Sequence, residues 1–174
     1  TVLALALAAA APQRCSGLLA LDATALPLAG TGGLAAAETA WHEDLRAAAL
    51  RKAPAIGALV AAHGPELPAA EHAAYDAPFP DAGYRAGPRA FVADVARQDA
   101  AALLEASSAF WQGDWHGKTA VAAGERDAAG SHAAQALRQR LQGCPPVWLV
   151  PGAGRFLPEQ GQAIAERAVE YFHP

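Results

Sequence analysis

The stretch Lys118-Thr119-Ala120-Val121-Ala122-Ala123-Gly124 decides the fold class of this 174-residue chain. Its apolar centre shows no alternation of polar and apolar residues, which is typical of a strand buried on both faces of a parallel sheet. Two other runs have this character, Gly17-Leu18-Leu19-Ala20-Leu21, closed by Asp22, and Pro146-Val147-Trp148-Leu149-Val150. Each run precedes polar or glycine-containing residues and then a helix-compatible segment. Short buried strands alternating with helices predict an open α/β sheet.

The chain changes character between the first two predicted strands. Residues 30–88 begin with a glycine-rich stretch at 30–33 and contain helical pieces at 43–50 and 69–75, but no evident strand. This pattern predicts a helical insertion, which we call the cap, near the edge where α/β proteins bind ligands. We therefore divide the chain into residues 1–29 (core helix and strand), 30–88 (cap) and 89–174 (C-terminal core).

Helices are predicted at both ends of the chain. The apolar residues 1–11 predict a buried helix that ends at Pro12, because proline interrupts helical hydrogen bonding. Residues 158–172 predict a terminal amphipathic helix that packs on the sheet. Its apolar stripe is expected to contain Ile164, Ala168, Val169 and Phe172.

Composition and charge restrict the partners and the compartment. The net charge is −4 and the 13 Lys and Arg residues are scattered, which argues against binding to nucleic acid. The apolar run at the start is shorter than the roughly 20 residues that span a bilayer, so no membrane partner is expected. Cys15 and Cys144 lie in no C-x-x-C motif. They are expected to be free thiols in a cytoplasmic protein.

The chain contains no methionine. A chain without its own start residue is expected to be a processed product, a clipped chain or a piece of a longer protein. We therefore expect Thr1 to mark a cut.

Charged residues follow the second and third predicted strands, in Gly124-Glu125-Arg126-Asp127 and Gly152-Ala153-Gly154-Arg155-Phe156. Parallel neighbours would bring these two loops to the same edge of the sheet. A carboxylate in such a loop is often a helix N-cap or a solvated turn, and less often a catalytic acid. Both interpretations stay open for Asp127.

Several motifs, in order, resemble those of a known family. A strand, G-x-x-D, a helix, a strand and A-G-H-F are how α/β-hydrolases present the acid and base of their catalytic triad. Asp127 matches the acid, whereas Arg155 stands in place of the histidine. The chain most resembles haloalkane dehalogenases, especially the branch that acts on short chlorinated alkanes. The motifs are Tyr75-Asp76-Ala77-Pro78-Phe79-Pro80-Asp81 with Tyr84, Ala86-Gly87 and Arg89, then Phe110-Trp111-Gln112-Gly113-Asp114-Trp115, Gly143-Cys144-Pro145 and Gly154-Arg155-Phe156.

This resemblance implies the C-terminal part of an α/β-hydrolase fold, with about three parallel strands, flanking helices and a helical cap. It also implies hydrolysis of a carbon–halogen bond through an aspartyl ester, with no cofactor and no metal. The partners would be a small halogenated alkane and a halide ion. Asp127 matches the acid that orients the base, Trp41 the cap tryptophan that donates to the halide, and Phe91 and Val95 the cavity wall. Without the resemblance, Trp41 would be interpreted as part of the cap core.

Three departures from the family pattern limit what the resemblance implies. The family's D-W-G-G elbow aligns so that its last glycine falls at Thr1, which would place the nucleophilic aspartate three residues before the chain begins. Arg155 cannot replace the histidine as a general base, because a guanidinium group stays protonated in proteins. Glu38 stands where the suspected branch has an aromatic residue. The chain as it stands is therefore expected to be inactive.

Two other functions remain open. One is a neighbouring α/β-hydrolase activity, such as that of an epoxide hydrolase or a haloacetate dehalogenase, which shares the aspartate nucleophile. Epoxide hydrolases place paired tyrosines where Trp41 stands, and Tyr75 and Tyr84 lie in the Pro-Phe-Pro-Asp motif instead. The other is a non-catalytic, degenerate product, which the arginine at position 155 and the expected loss of the nucleophile both favour.

Overall fold

A computed structural model of the protein describes residues 1–23, 43, 47, 55–95 and 99–173, with the backbone alone for residues 91–95 and 99–101. The chain divides into two compact units. A core unit consists of Thr1–Gly33 together with Gln98–Pro174, and a second unit consists of Leu34–Arg97. The division at residues 30 and 88 that the sequence suggests stays a prediction.

The core unit is built on a parallel sheet of three strands in the order β1-β2-β3. The strands are β1 (Gly17–Leu21), β2 (Lys118–Gly124) and β3 (Trp148–Val150). In the register, Leu19 lies beside Ala120, and Ala123 lies beside Leu149. The predicted α/β fold class is confirmed. The third strand begins two residues later than predicted, because Pro146 has no N–H to donate to the ladder.

Helices follow or precede each strand. Among the described residues they are α1 (Val2–Ala10), α2 (Ile56–His63), α3 (Ala69–Asp76), α4 (Ala86–Val95), α5 (Asp99–Ala106), α6 (Ala128–Arg140) and α7 (Gly161–Phe172). A π-helical turn at Phe110–Asp114 precedes β2, and short 3-10 turns lie at Pro12–Arg14 and Leu157–Gln160. None of the described helices is both long and apolar enough to cross a membrane.

The residues of β2 alternate between two apolar clusters, one on each face of the sheet. Val121 and Ala123 contribute to the first cluster, and Ala120 and Ala122 to the second. The first cluster also contains Leu5, Trp111, Trp115, Leu137, Leu141 and Cys144, and the second contains Trp148, Leu157 and Ile164. Burial on both faces explains why β2 reads as a continuous apolar run.

The two terminal helices are present, but each prediction needs a correction. Helix α1 ends before Pro12, as predicted, yet it is buried on one side only, because Leu3 and Leu7 are exposed. In α7, Ile164, Ala168 and Phe172 face the second cluster, whereas Val169 is 66% exposed. Val169 follows Ile164 by five residues, which is about 140° around a helix, so it lies away from the sheet.

Helices α2 and α3 pack against each other in the second unit. A Cβ at Gly57 would overlap the carbonyl oxygen of His72, so the two backbones approach closely only because position 57 has no side chain. The Asp76 carboxylate accepts a hydrogen bond of 2.8 Å from the Ile56 N–H at the start of α2. The helix predicted at 69–75 is confirmed as α3, whereas the one predicted at 43–50 lies almost wholly outside the described residues.

Both cysteines are free thiols, as predicted. Cys144 is buried in the first cluster, and burial raises the pKa of its thiol above the ordinary value. Cys15 is half-buried.

Candidate functional site

A charged side chain lies in the loop after each of the three strands. Asp22 directly follows β1, Asp127 follows β2, and Arg155 follows β3. Because the strands are parallel, these three loops lie at the carboxyl edge of the sheet, where α/β proteins place their ligand clefts.

The structure brings Asp127 and Arg155 together in a bidentate ion pair. The Arg155 Nε donates to Asp127 Oδ2 and the Arg155 Nη2 donates to Asp127 Oδ1, both at 3.2 Å. The Asp127 side chain is only 9% exposed and the Arg155 side chain only 8%. Each oxygen of the carboxylate therefore faces one nitrogen of the guanidinium fork, in the geometry that arginine favours with carboxylates.

Asp127 is also the N-cap of α6. Its Oδ1 accepts a hydrogen bond of 2.9 Å from the Gly130 N–H, which satisfies one of the free donors at the start of the helix. A Cβ at Gly130 would overlap the Asp127 carboxylate, so the small residue makes room for the cap. The N-cap interpretation of Asp127 is confirmed, and the same carboxylate pairs with Arg155.

Backbone contacts hold the loops after β2 and β3 close together. The Arg126 N–H donates to the Ala153 carbonyl at 2.8 Å. A Cβ at Gly124 would overlap the carbonyl oxygen of Gly154. The last residue of β2 therefore has to be glycine for Asp127 and Arg155 to meet.

Asp22 is a third charged residue of this site, and the sequence patterns did not single it out. Its Oδ2 accepts a hydrogen bond of 3.0 Å from the Leu157 N–H. Its φ of 46° lies in the left-handed region, which aspartate and asparagine tolerate better than most residues. Asp22 could have been identified from its position directly after a buried strand, which is the signal that pointed to the loop of Asp127.

Burial raises the pKa of the Asp22 carboxyl above its ordinary value of 3.8. The hydrogen bond from Leu157 opposes this effect, the charge of Asp127 adds to it, and the charge of Arg155 opposes it. Asp22 and Asp127 thus interact electrostatically with each other and with Arg155.

The pH dependence of Asp22 can be tested with the substitution Asp22→Asn. Just above pH 3.8 the folded state keeps a proton that the unfolded state has lost, so the free energy of unfolding falls as pH rises through the raised pKa. Asparagine keeps an acceptor oxygen for Leu157 but does not titrate. We expect the variant to gain stability relative to the native chain as pH rises from 4 to 7 in urea unfolding. A stability difference that stays constant over this interval would contradict a raised pKa for Asp22.

The structure describes no side chain for the other predicted site residues. Trp41 lies outside the described residues. Phe91 and Val95 lie in α4, for which only the backbone of these positions is described. Among the described residues, no group of three or more His, Cys, Asp or Glu side chains could hold a metal ion.

The arrangement of the pair limits the chemistry of this edge. A guanidinium group stays protonated, so it cannot accept a proton from water. Both oxygens of the Asp127 carboxylate are already engaged by Arg155. The pair can hold the two loops together, but it offers no general base.

Solved structures with a similar fold are haloalkane dehalogenases. The enzyme DpaA from Paraglaciecola agarilytica NO2 is 26% identical with a TM-score of 0.81, and the match covers 99% of this chain and 57% of that one. A loop variant of DbeA from Bradyrhizobium elkanii is 19% identical with a TM-score of 0.66, over 98% of this chain and 64% of that one. The ancestral enzyme AncHLD2 is 18% identical with a TM-score of 0.70, over 98% and 63%.

These matches cover nearly all of this chain, which spans less than two thirds of each of the three enzymes. No family model matches the chain. The parallel sheet with its flanking helices is therefore a part of the α/β-hydrolase fold, and in structure the chain is similar to the haloalkane dehalogenases.

Proposed function

We propose that the chain is part of a hydrolase like the haloalkane dehalogenases, in which arginine occupies the position of the catalytic base. The observation that carries the proposal is the buried pair of Asp127 and Arg155, in the loops after β2 and β3. These are the loops in which the resemblance places the triad acid and the triad base. The similarity to the Paraglaciecola agarilytica enzyme, with 26% identity and a TM-score of 0.81 over 99% of this chain, supports the proposed relationship to haloalkane dehalogenases.

The proposed chemistry has two steps. An aspartate carboxylate attacks the carbon that carries the halogen, the carbon–halogen bond breaks, and halide leaves with the bonding electrons. Water then adds to the ester carbonyl while a base takes its proton, and the alcohol leaves as the carboxylate is regenerated. Arg155 cannot take that proton. A site with Asp127 and Arg155 therefore stops at the ester, even where a nucleophile is supplied.

The substrate class, the halide and the compartment belong to this proposal as well. A small halogenated alkane is the proposed substrate, with a preference for short chlorinated alkanes. Trp41 would donate its indole N–H to the departing halide, and Phe91 and Val95 would line the cavity. The free thiols of Cys15 and Cys144 support a cytoplasmic location.

The role of Trp41 can be tested in a chimera that supplies the nucleophile. The chimera joins to Thr1 the segment that precedes the matched stretch in the Paraglaciecola agarilytica enzyme. We expect it to release one halide per chain from 1,2-dichloroethane or 1-chlorobutane, followed in a halide assay. Trp41→Phe should slow this release about 100-fold, because removal of one donor to a developing anion typically costs that much.

Two controls accompany this test. The 174-residue chain by itself should release no halide above a buffer blank. Trp148→Phe should leave the rate of halide release within a few-fold of the parent chimera, because Trp148 is packed in the second apolar cluster. An unchanged rate in Trp41→Phe would exclude the halide role.

A non-catalytic relative is the second candidate function. The bidentate contact of Arg155 with Asp127 favours it, since the pair is buried and balanced in charge. Absence of any ester in the chimera would favour this candidate.

An epoxide hydrolase or a haloacetate dehalogenase receives no such support, because the similar structures above are haloalkane dehalogenases and Tyr84 is exposed.

A further inference from the structure

The loop after β3 is held on both sides of position 155. On one side, the Ala153 carbonyl accepts a hydrogen bond of 2.8 Å from the Arg126 N–H in the loop after β2. On the other side, the Leu157 N–H donates to the Asp22 carboxylate, directly after β1, at 3.0 Å. Residue 155 lies midway between these two contacts. The direction of its side chain therefore depends on both.

Asp22 supplies a cap that the 3-10 turn at Leu157–Gln160 lacks locally. Phe156 precedes the turn, and its side chain has no oxygen that could accept a hydrogen bond from the first N–H groups. Leu157 is fully buried in the second cluster, and a buried N–H without an acceptor is destabilising. Asp22, 135 residues earlier in the chain, provides the acceptor.

The backbone of Phe156 makes this contact important for the residue before it. Phe156 has a φ of 68°, in the left-handed region. This conformation is unfavourable for a bulky side chain and persists only where neighbouring contacts hold it. Phe156 lies directly between Arg155 and Leu157. Loss of the acceptor for Leu157 would free Phe156 to relax, and that change would turn the side chain at position 155.

Asp22 is tied more strongly to this N–H than to the charges around it. Burial has the largest influence on the pKa of the Asp22 carboxyl and raises it, and the hydrogen bond from Leu157 comes next and lowers it. The charges of Asp127 and Arg155 have smaller and opposite effects. An uncharged oxygen in the same place should therefore serve as well as the carboxylate.

We propose that Asp22 is a positioning residue, which directs the side chain at position 155 toward Asp127 by holding the Leu157 N–H. In the native chain it supports the ion pair of Asp127 and Arg155. With histidine at position 155 it would orient the base. This second role rests on the proposed function, whereas the first does not.

Urea unfolding of the 174-residue chain tests the first role. Asparagine and glycine both tolerate the φ of 46° at position 22, but only asparagine keeps an acceptor oxygen. Asp127→Ala removes the ion pair, so its effect on the urea midpoint measures how far the pair stabilises the chain. We expect this effect to fall to about half in the Asp22→Gly background and to remain at least as large as in the native chain with Asp22→Asn.

Two results of this comparison would overturn the proposal. One is an effect of Asp127→Ala that is the same in all three backgrounds. The other is an effect that Asp22→Asn and Asp22→Gly reduce equally, because the charge of Asp22 and not its acceptor would then be responsible. Asp22→Ala provides the same comparison if Asp22→Gly does not fold.

The chimera with Arg155→His tests the second role. The first halide needs no base, so a burst of one halide per chain counts the folded sites, whereas continued release needs the imidazole. We expect Asp22→Gly to slow continued release about 100-fold and to leave the burst unchanged, because a misplaced base typically costs that much. Asp22→Asn should stay within a few-fold of the parent.

Continued release that is equally fast with Asp22→Gly, or equally slowed by Asp22→Asn, would contradict the positioning of the base. A chimera without a burst would refute the proposed function instead. The urea comparison would then decide the role of Asp22 by itself.

Discussion

Replacement of Asp127 by alanine is expected to lower the free energy of unfolding by about 4 kcal/mol. The substitution removes both 3.2 Å contacts to Arg155 and leaves a guanidinium charge buried with its paired carboxylate missing. It also removes the cap on the Gly130 N–H, which accounts for about 1 kcal/mol of this loss. Urea unfolding of the native chain and the variant measures the difference.

An exposed ion pair provides the control for this prediction. Glu105 contacts Arg140 at 3.6 Å, and the Glu105 side chain is 73% exposed. Glu105→Ala should cost less than about 1 kcal/mol, because solvent screens exposed pairs. Arg155→Met added to Asp127→Ala should restore part of the lost stability, since no buried charge then remains unpaired. Equal losses for Asp127→Ala and Glu105→Ala would refute a buried pair.

Replacement of Arg155 by histidine is expected to give the chimera repeated turnover where the parent stops after one halide per chain. Asp127 lies within hydrogen-bond distance of the side chain at position 155, so it can orient an imidazole that accepts the proton of water. General-base assistance typically contributes 100-fold to 10,000-fold to a hydrolytic step. A halide assay over several hours distinguishes continued release from a single burst.

Arg155→Gln is the matched control for the histidine variant. Glutamine removes the charge and much of the bulk of arginine but supplies no base. This variant should still stop after one halide per chain. If Arg155→Gln and Arg155→His released halide at equal rates, the charge of Arg155 rather than the missing base would be what blocks hydrolysis.

The three strands and helices α1, α3 and α7 could be predicted because their signals are local. The run from Lys118 to Gly124 is apolar along its length, and the chain forms a buried central strand there. Helix α1 ends before Pro12 for a reason that lies in proline itself. Val169 was placed wrongly because the apolar stripe of α7 is narrower than the set of apolar residues in it. Val169 lies about 140° around the helix from Ile164, outside the narrow stripe that faces the sheet.

The site was less predictable, because it depends on contacts between loops distant in sequence. Asp127 and Arg155 could be named from their positions after strands. Their bidentate contact could not be predicted, because it depends on the close approach of the Gly124 and Gly154 backbones. Asp22 and Leu157 are far apart in the chain, and their hydrogen bond exists only because β1 and β3 flank the same strand.

The covalent ester is the species that tests the central claim most directly. We would incubate the chimera, with Arg155 unchanged, with 1-chlorobutane and measure the mass of the intact protein. A stable increase by the mass of one butyl group, replaced by the unmodified mass in Arg155→His, is the predicted result. Continued halide release by the chimera with Arg155 unchanged and no lasting increase in mass would contradict the account.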